Sequence, residues 1–215
     1  MELSPRLIET ALPEDPAGAV VVLHGGASRK ATMMVSPTQL SVLRMIPIAK
    51  KVARAGKGQL ADFRLLNSRR GWDAHHTPVQ DVEWALEQVA ERLGASMPVC
   101  LIGHSLGGRA ALLAAGHKQV RSAVALAPWV LATDNPRGLD AQRLLIVHGS
   151  DDRIASPHRS AALAQGLRDR GVHVDYVAVP GGKHAMLRHH DKFSDQAARF
   201  VSLNLVESAR QVDHA

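Results

Sequence analysis

A glycine-flanked serine stands where an apolar stretch of the chain gives way to an alanine-rich one. Ser105 lies within GHSLGG at 103–108, with the apolar stretch at 98–102 before it and the alanines at 109–115 after it. This pattern predicts a strand, a sharp turn and a helix. Such a turn strains its central residue, so flanking glycines avoid collisions with the strand and the helix. The serine hydroxyl is thereby held above the sheet, at helix amides that favour developing negative charge. The pattern indicates a nucleophilic serine.

Three other predicted strands end in residues that such a serine needs. The first is followed by HGG at 24–26, a glycine turn of the kind that aims a backbone amide at an oxyanion. A later strand is followed by carboxylates at 151–152, and the last strand by GGKH at 181–184. The carboxyl ends of parallel strands converge on one crevice, so we expect Ser, Asp and His to meet there, in that chain order.

Together these segments resemble the α/β-hydrolase superfamily over nearly the whole chain. The matching segments are HGG at 24–26, GHSLGG at 103–108, HGSDDRI at 148–154 and GGKH at 181–184. The resemblance implies that Ser105 is the nucleophile and His184 the general base. It also implies an oxyanion hole made by the backbone amides of Gly26 and Leu106, with Ala27 as a substitute donor.

The family pattern also selects between two adjacent acids. Its orienting carboxylate is usually the fourth residue after the histidine of an HG-x-x-D segment, which here is Asp152. Asp151 is assigned to solvating the loop or capping the next helix. Lipases and esterases of the HGGG type carry a glycine where this chain has Ala27, and the small, lidless dienelactone hydrolases normally carry cysteine at the elbow instead of Ser105. The chain therefore resembles a small lidless serine hydrolase, similar to esterases or dienelactone hydrolases, with serine in place of cysteine.

Alternating strand and helix patterns predict an α/β fold with a mostly parallel sheet covered by helices on both faces. The chain has 215 residues, 46% of them hydrophobic, which suits a single α/β-hydrolase domain over residues 1–215. Strands are predicted near 18–23, 60–66, 98–102, 120–126, 143–148 and 173–179, with a weaker edge strand at 6–12. Helices are predicted near 40–55, 78–93, 106–116, 157–169 and 193–207, and Pro47 weakens the first of them.

The connection over 127–142 is too short and too rich in proline and glycine for a helical lid, so no substantial lid domain is expected. The substrate pocket is expected to include Ala27, Trp72, His75 and Trp129, which follow predicted strands on the side of the crevice. Each tryptophan has an alternative in which it packs inward. Arg109, one turn beyond the serine, is expected to reach a carboxylate near the elbow.

The remaining sequence features limit which partners, cofactors and cellular location are expected. No apolar stretch is long enough to span a membrane and residues 1–5 do not look like a secretory signal, so a cytoplasmic protein is expected. The net charge of +6 comes from scattered basic residues, and aromatic residues make up 3%, which does not favour nucleic acid binding. Attraction of an anionic substrate or an acidic partner by basic residues near the crevice stays an alternative. Cys100 is expected to be buried. The adjacent histidines at 75–76 and 189–190 do not form a metal-binding pattern, and no metal or organic cofactor is expected.

These features favour a serine hydrolase that cleaves carboxylic esters of small or medium acyl groups through an acyl-enzyme, with a small-molecule acyl substrate as its partner. Thioester cleavage, perhydrolysis and acyl transfer remain alternatives because they use the same triad. A noncatalytic binding protein of the same fold is a further alternative, which the complete set of Ser, Asp and His disfavours. The oligomeric state is left open.

Overall fold

The computed structural model describes residues 4–26 and 33–207, and in these ranges seven strands form one sheet. The strands are β1 (Arg6–Ala11), β2 (Gly18–Leu23), β3 (Leu60–Leu66), β4 (Val99–His104), β5 (Val120–Leu126), β6 (Arg143–Gly149) and β7 (His173–Val179). The helices are α1 (Leu40–Leu43), α2 (Met45–Ala55), α3 (Thr77–Leu93), α4 (Leu106–Ala114), α5 (Pro157–Arg168) and α6 (His190–Val201), and α6 continues into a π-helical segment over Ser202–Glu207. All the predicted strands are present, with small differences at their ends.

The order of the strands creates a crevice at the centre of the sheet. The order is β1-β3-β2-β4-β5-β6-β7, with β1 antiparallel to β3 and every other neighbouring pair parallel. The chain leaves β2 for β3 on one side and later returns to β4 on the other side. Ligands of open parallel sheets bind outside the carboxyl ends of the strands at such a point. Leu23 pairs with Gly103, so the HGG turn and Ser105 leave the sheet at the same level.

Helices cover both faces of the sheet, as the sequence predicts. Helices α3, α4 and α5 pack on one face, where the alternate strand residues Val21, Phe63 and Leu101 are buried. Helices α2 and α6 and the π-helical segment pack on the other face. Central strands that are buried on both faces consist of nearly continuous apolar residues, as in β2 and β4. The fold class is therefore confirmed, and Cys100 is buried in β4 as expected.

The helix expected over 40–55 is in fact two helices that meet at Arg44. Pro47 has no N–H to donate to the carbonyl of Leu43, so one bond of a continuous helix is missing at this point. The last helix begins at His190, earlier than predicted. Residues 127–142, between β5 and β6, contain neither a helix nor a strand. The expected absence of a lid in this connection is therefore confirmed.

Candidate active site

Ser105 occupies a strained turn between β4 and α4. Its φ is 56° and its ψ is −116°, a backbone conformation that residues with side chains rarely adopt. The flanking glycines are required because neighbouring backbone atoms leave no room for a side chain. A Cβ atom at Gly103 would lie 2.1 Å from the carbonyl oxygen of Gly107, and one at Gly107 would lie 2.5 Å from the carbonyl oxygen of His24. Larger residues at either position would displace the serine from the end of the strand.

Backbone hydrogen bonds hold the strained turn in place. The N–H of Ser105 donates to the carbonyl of Leu126 at 3.0 Å, and the carbonyl of Ser105 accepts from the N–H of Trp129 at 3.1 Å. Both partners belong to β5 or the turn after it. Strain of this kind persists only where the surroundings determine the conformation. The neighbouring strand end therefore fixes where the Ser105 hydroxyl points.

His184 joins Ser105 to Asp152. Its Nε2 lies 3.0 Å from the Oγ of Ser105, and its Nδ1 lies 2.8 Å from Oδ2 of Asp152. Ser105 and Asp152 are each 7% exposed, while the His184 side chain remains partly accessible. The three side chains follow β4, β6 and β7, whose carboxyl ends lie along one edge of the sheet. This is the spatial relation that proton transfer from serine to histidine requires.

The carboxylate of Asp152 is saturated with hydrogen bonds. Oδ2 accepts from His184 and from Nε2 of His148 at 3.1 Å, and Oδ1 accepts from the N–H groups of Ile154 and Ala155 at 2.8 and 2.9 Å. Burial opposes ionisation, but these hydrogen bonds outweigh it and hold the pKa of Asp152 below its usual range. Asp151, by contrast, is exposed and accepts a hydrogen bond from the hydroxyl of its neighbour Ser150.

His148 is a member of this cluster to which the sequence analysis gave no role. Its ring is fully buried, with Nδ1 2.8 Å from the hydroxyl of Ser160 in α5 and Nε2 on Asp152. The signal was present in the sequence, since His148 is the histidine from which the spacing to Asp152 is counted. The partner Ser160 was not apparent because it lies in a helix with no motif of its own. His148 therefore bonds the same carboxylate oxygen of Asp152 that contacts His184.

His104, next to the serine, is a neutral structural residue. Its Nε2 donates to the carbonyl oxygen of His184 at 2.9 Å, so the proton of the ring lies on Nε2. Burial lowers the pKa of His104 to about 3. The rings of His104 and His184 are 4.9 Å apart, centroid to centroid. A neutral ring at this distance does not oppose a positive charge on His184.

The two expected oxyanion donors lie beside Ser105. Leu106 is the first residue of α4, and Gly26 follows β2, with room for no side chain because a Cβ atom there would lie 2.0 Å from the carbonyl oxygen of Arg70. Among the residues that the structure describes, no hydrogen-bond acceptor is assigned to either N–H. His24 supports the turn through its Nδ1, 2.6 Å from the carbonyl of Gly25. Ala27, the expected substitute donor and pocket residue, lies outside the described residues.

A cavity of about 380 Å³ opens over the serine. We call it the active-site cavity, and its lining consists of Gly25, Gly26, Ser41, Arg44, His104, Ser105, Leu106, Trp129, Ile154 and His184. Its size falls in the range of small-molecule sites. In residues 4–26 and 33–207, no group of three or more His, Cys, Asp or Glu side chains is arranged to hold a metal. Nor is any helix within those ranges long and apolar enough to cross a bilayer.

Several solved structures share this architecture over almost their whole length. An alpha-beta serine hydrolase homologue from Coxiella burnetii is 16% identical, with a TM-score of 0.67 and coverage of 91% of this chain and 90% of that chain. A serine hydrolase without a lid from Xanthomonas campestris is 17% identical, with a TM-score of 0.63 and coverage of 95% and 94%. Est1E from Butyrivibrio proteoclasticus is 15% identical, with a TM-score of 0.63 and coverage of 94% of each chain. This chain has the α/β-hydrolase fold.

In sequence, one family model matches part of the chain. Residues 128–204 match the model of the prolyl oligopeptidase family. The matched segment contains Asp152 and His184 but not Ser105. No curated protein matches the chain by sequence.

Of the other pocket residues expected from the sequence, only Trp129 is in the cavity lining. Trp72 instead packs against the core formed with α3 and α4, and the guanidinium of Arg109 lies 3.9 Å from its ring centroid. His75 is exposed, and its N–H donates to the side chain of Asp73 at 3.1 Å. The expectation that Trp72 and His75 line the pocket is therefore corrected. The Trp72 ring thus lies outside the cavity lining, whereas the Trp129 ring, 5.7 Å from the same guanidinium, is part of it.

Arg109 anchors the connection that takes the place of a lid in this hydrolase fold. Its Nε and Nη2 donate to the two carboxylate oxygens of Asp134 at 2.8 and 2.6 Å, and both side chains are almost completely buried. Oδ2 of Asp134 also accepts from the N–H of Leu131 at 2.8 Å. The prediction that Arg109 reaches a carboxylate is confirmed. This bidentate ion pair holds residues 131–134 against the helix that follows the serine.

Proposed function

We propose that this protein is a serine hydrolase that cleaves carboxylic esters of small or medium acyl groups through an acyl-enzyme intermediate. The observation that carries the proposal is the position of His184, which contacts Ser105 and Asp152 at the same time, at 3.0 and 2.8 Å. A noncatalytic binding protein would not need a histidine that contacts a serine and an aspartate in this way. Esterases among the structures with the same fold, including one from Pyrobaculum calidifontis, give further support.

In the first half of the reaction, Ser105 attacks the carbonyl carbon of the ester while Nε2 of His184 takes its proton. The carbonyl oxygen becomes an oxyanion, and the N–H groups of Gly26 and Leu106 donate to it. The tetrahedral intermediate then collapses. The bond to the alcohol oxygen breaks, and His184 donates its proton to that oxygen as the alcohol leaves. The acyl group remains on the oxygen of Ser105.

In the second half, water takes the place of the alcohol. His184 removes one proton from the water as its oxygen attacks the acyl carbon, and the same N–H groups hold the second oxyanion. Collapse of this intermediate breaks the bond to Ser105, which regains its proton from His184. Asp152 stays ionised throughout because its pKa is held low, so it fixes the tautomer of His184 and stabilises the imidazolium in both halves.

The preference for small substrates follows from the shape of the site. The active-site cavity is about 380 Å³, and residues 127–142 supply no helix to cover a long acyl chain. A series of p-nitrophenyl esters of increasing chain length tests this preference, with kcat/KM highest for short acyl groups. A maximum at long chains would contradict it.

Labelling with a fluorophosphonate, followed by peptide mapping, tests the reaction itself. We expect the label on Ser105, and we expect Ser105→Ala to fold, to remain unlabelled and to lose ester hydrolysis by on the order of 10⁶-fold in kcat. Unchanged turnover in this variant would refute the proposal. Thioester substrates and added alcohol acceptors in the same assay separate ester hydrolysis from thioester cleavage and acyl transfer.

A further inference from the structure

The wall of the active-site cavity carries a positive charge. Arg44 lies at the junction of α1 and α2 and lines the cavity together with Ser105 and His184. Burial is the main reason for the low pKa of His104, and the charge of Arg44 contributes to it. The guanidinium is therefore within electrostatic reach of the residues around the serine. A substrate bound in this cavity meets a cation beside the reacting atoms.

Arg44 has no carboxylate partner in the part of the chain that the structure describes. Its Nε is shielded from solvent and has no hydrogen-bond partner there, and none of the ion pairs found there includes Arg44. The undescribed segment 27–32 has the sequence ASRKAT, which contains no acidic residue. Arg44 as a whole is only partly buried, but shielding its Nε without a hydrogen-bond partner is unfavourable. Arg109 differs in having an acidic partner, since its Nε and Nη2 donate to the two carboxylate oxygens of Asp134, although its Nη1 has no hydrogen-bond partner among the described residues.

A second donor stands one helical turn before the arginine. Ser41 also lines the cavity, and residues three apart lie on the same side of a helix. The Oγ of Ser41 accepts a hydrogen bond from the side chain of Gln39 at 2.8 Å. Among the described residues, nothing is assigned to accept the hydroxyl proton of Ser41. The guanidinium of Arg44 and this hydroxyl therefore offer donors to one ligand.

We propose that the substrate of this enzyme is an ester that carries a carboxylate, and that Arg44 binds this carboxylate with Ser41 as a second donor. The inference rests on the proposed esterase function and adds its substrate class. The planar fork of arginine matches the two oxygens of a carboxylate, and such charged hydrogen bonds are stronger than neutral ones. Trp129 and Ile154, in the same lining, contact the uncharged part of the substrate.

Two pairs of probe esters test the proposal and show which half of the substrate carries the charge. For the acyl half, mono-(p-nitrophenyl) adipate is compared with p-nitrophenyl hexanoate, which has an acyl chain of the same carbon number without the second carboxylate. For the alcohol half, p-acetoxybenzoate is compared with p-tolyl acetate. The measured quantity is the ratio of kcat/KM for the charged ester to that for the neutral ester. We expect one of the two pairs to favour the charged ester in the wild-type protein.

Substitution of the arginine should remove this preference. We expect Arg44→Gln to lower kcat/KM for the favoured charged ester by about 10- to 100-fold, mainly through KM, with little change for its neutral partner. Arg44→Lys should restore part of the preference because it keeps the charge but lacks the fork. Arg54→Gln is the matched control, since Arg54 is exposed on α2 outside the cavity lining, and it should leave both ratios unchanged.

The outcomes show separately whether the carboxylate proposal and the esterase proposal hold. Fluorophosphonate labelling of Ser105 in Arg44→Gln, at the wild-type rate, shows that the variant folds with its triad intact. If labelling and neutral-ester hydrolysis persist while the charge ratio does not change, the carboxylate proposal is overturned and the esterase proposal stands. An equal fall of the ratio in Arg54→Gln would also overturn it, because general attraction would then explain the preference. If Ser105 is not labelled and no ester is hydrolysed, both proposals fail.

Discussion

Two parts of the active-site cavity are built in different ways. The catalytic turns, which follow β2, β4, β6 and β7, hold Gly26, Ser105, Asp152 and His184 immediately beyond strand ends. The pocket wall, formed by Ser41, Arg44 and Trp129, comes from the α1–α2 junction and the long connection after β5. Strand pairing determines the first set, and packing between distant segments determines the second. In this chain the candidate catalytic residues are encoded locally, whereas the shape and charge of the pocket wall are not.

The largest loss of activity among substitutions within the catalytic turns, apart from Ser105→Ala, is expected at Asp152. Asp152→Asn should lower kcat by on the order of 10⁴-fold because His184 loses its orienting anion and adopts the wrong tautomer. The matched control is Asp151→Asn, which changes the same charge on an exposed neighbour and should have little effect. Steady-state kinetics on a p-nitrophenyl ester measures both. A larger loss in Asp151→Asn would show that the assignment is shifted by one residue.

The oxyanion donors should give the next largest effect. In Gly26→Ala the new Cβ would collide with the carbonyl oxygen of Arg70, 2.0 Å away, and the turn would move its N–H. The loss of one donor costs about 10²- to 10³-fold in kcat. Gly166→Ala is the control, because a Cβ atom there meets nothing within 4 Å. Thermal unfolding of both variants separates lost catalysis from lost stability, and wild-type kcat in a folded Gly26→Ala would contradict the assignment.

Substitution of His148 should lower kcat less than substitution of Gly26, and part of its effect should depend on pH. His148→Ala removes one hydrogen bond from Asp152, so kcat at neutral pH should fall by about 10-fold. The hydrogen bonds lower the pKa of Asp152, so the ionised carboxylate supports folding and activity above its usual pKa and this support is lost as the pH falls. Removing one bond raises that pKa, so the acid loss of unfolding free energy, measured by chemical denaturation at a series of pH values, should begin at a higher pH. An unshifted pH dependence of stability would show that His148 does not act through Asp152, whereas His148→Gln should recover part of the effect.

The two tryptophans give the smallest effect on catalysis and the sharpest test of the pocket wall. Trp129→Ala should raise KM by a few-fold, because the bound substrate would bury less apolar surface against the cavity lining. Trp72→Ala should leave KM unchanged and lower the free energy of unfolding by about 3 kcal/mol, because its ring packs on Arg109 and the core. Kinetics and chemical denaturation of the two variants test this. The reverse pattern would place Trp72 in the substrate pocket.

The sequence was sufficient for the features that depend on short stretches of chain. Each strand is a continuous apolar or alternating run that ends in a distinctive turn, so the sheet and the residues beyond its edge could be predicted. The helix break at Arg44 was less clear, because Pro47 weakens a helix without fixing where the chain bends. No local signal distinguishes Trp72 from Trp129. Their difference arises from tertiary packing: Trp72 lies 3.9 Å from the guanidinium of Arg109 and packs against the core, whereas Trp129, 5.7 Å from the same guanidinium, lines the cavity.

The role of His148 was hidden for a similar reason. Its spacing to Asp152 is local, but its orientation depends on Ser160, in a helix that carries no motif. Arg44 was missed because an arginine between two helices is ordinary in sequence. Only its place in the lining of the cavity over the serine, with no ion pair to it among the described residues, gives it significance.

The buried ion pair between Arg109 and Asp134 has a consequence for which step limits the rate of the proposed reaction. Residues 131–134 are tied down and contain no helix, so in the proposed reaction neither entry of the ester nor departure of the alcohol and acid should require a large movement of the connection after β5. We therefore expect the slow step to be bond making and breaking at Ser105. For activated esters we expect that step to be hydrolysis of the proposed acyl-enzyme, so that the first turnover releases alcohol in a rapid burst and solvent viscosity has little influence on the steady rate.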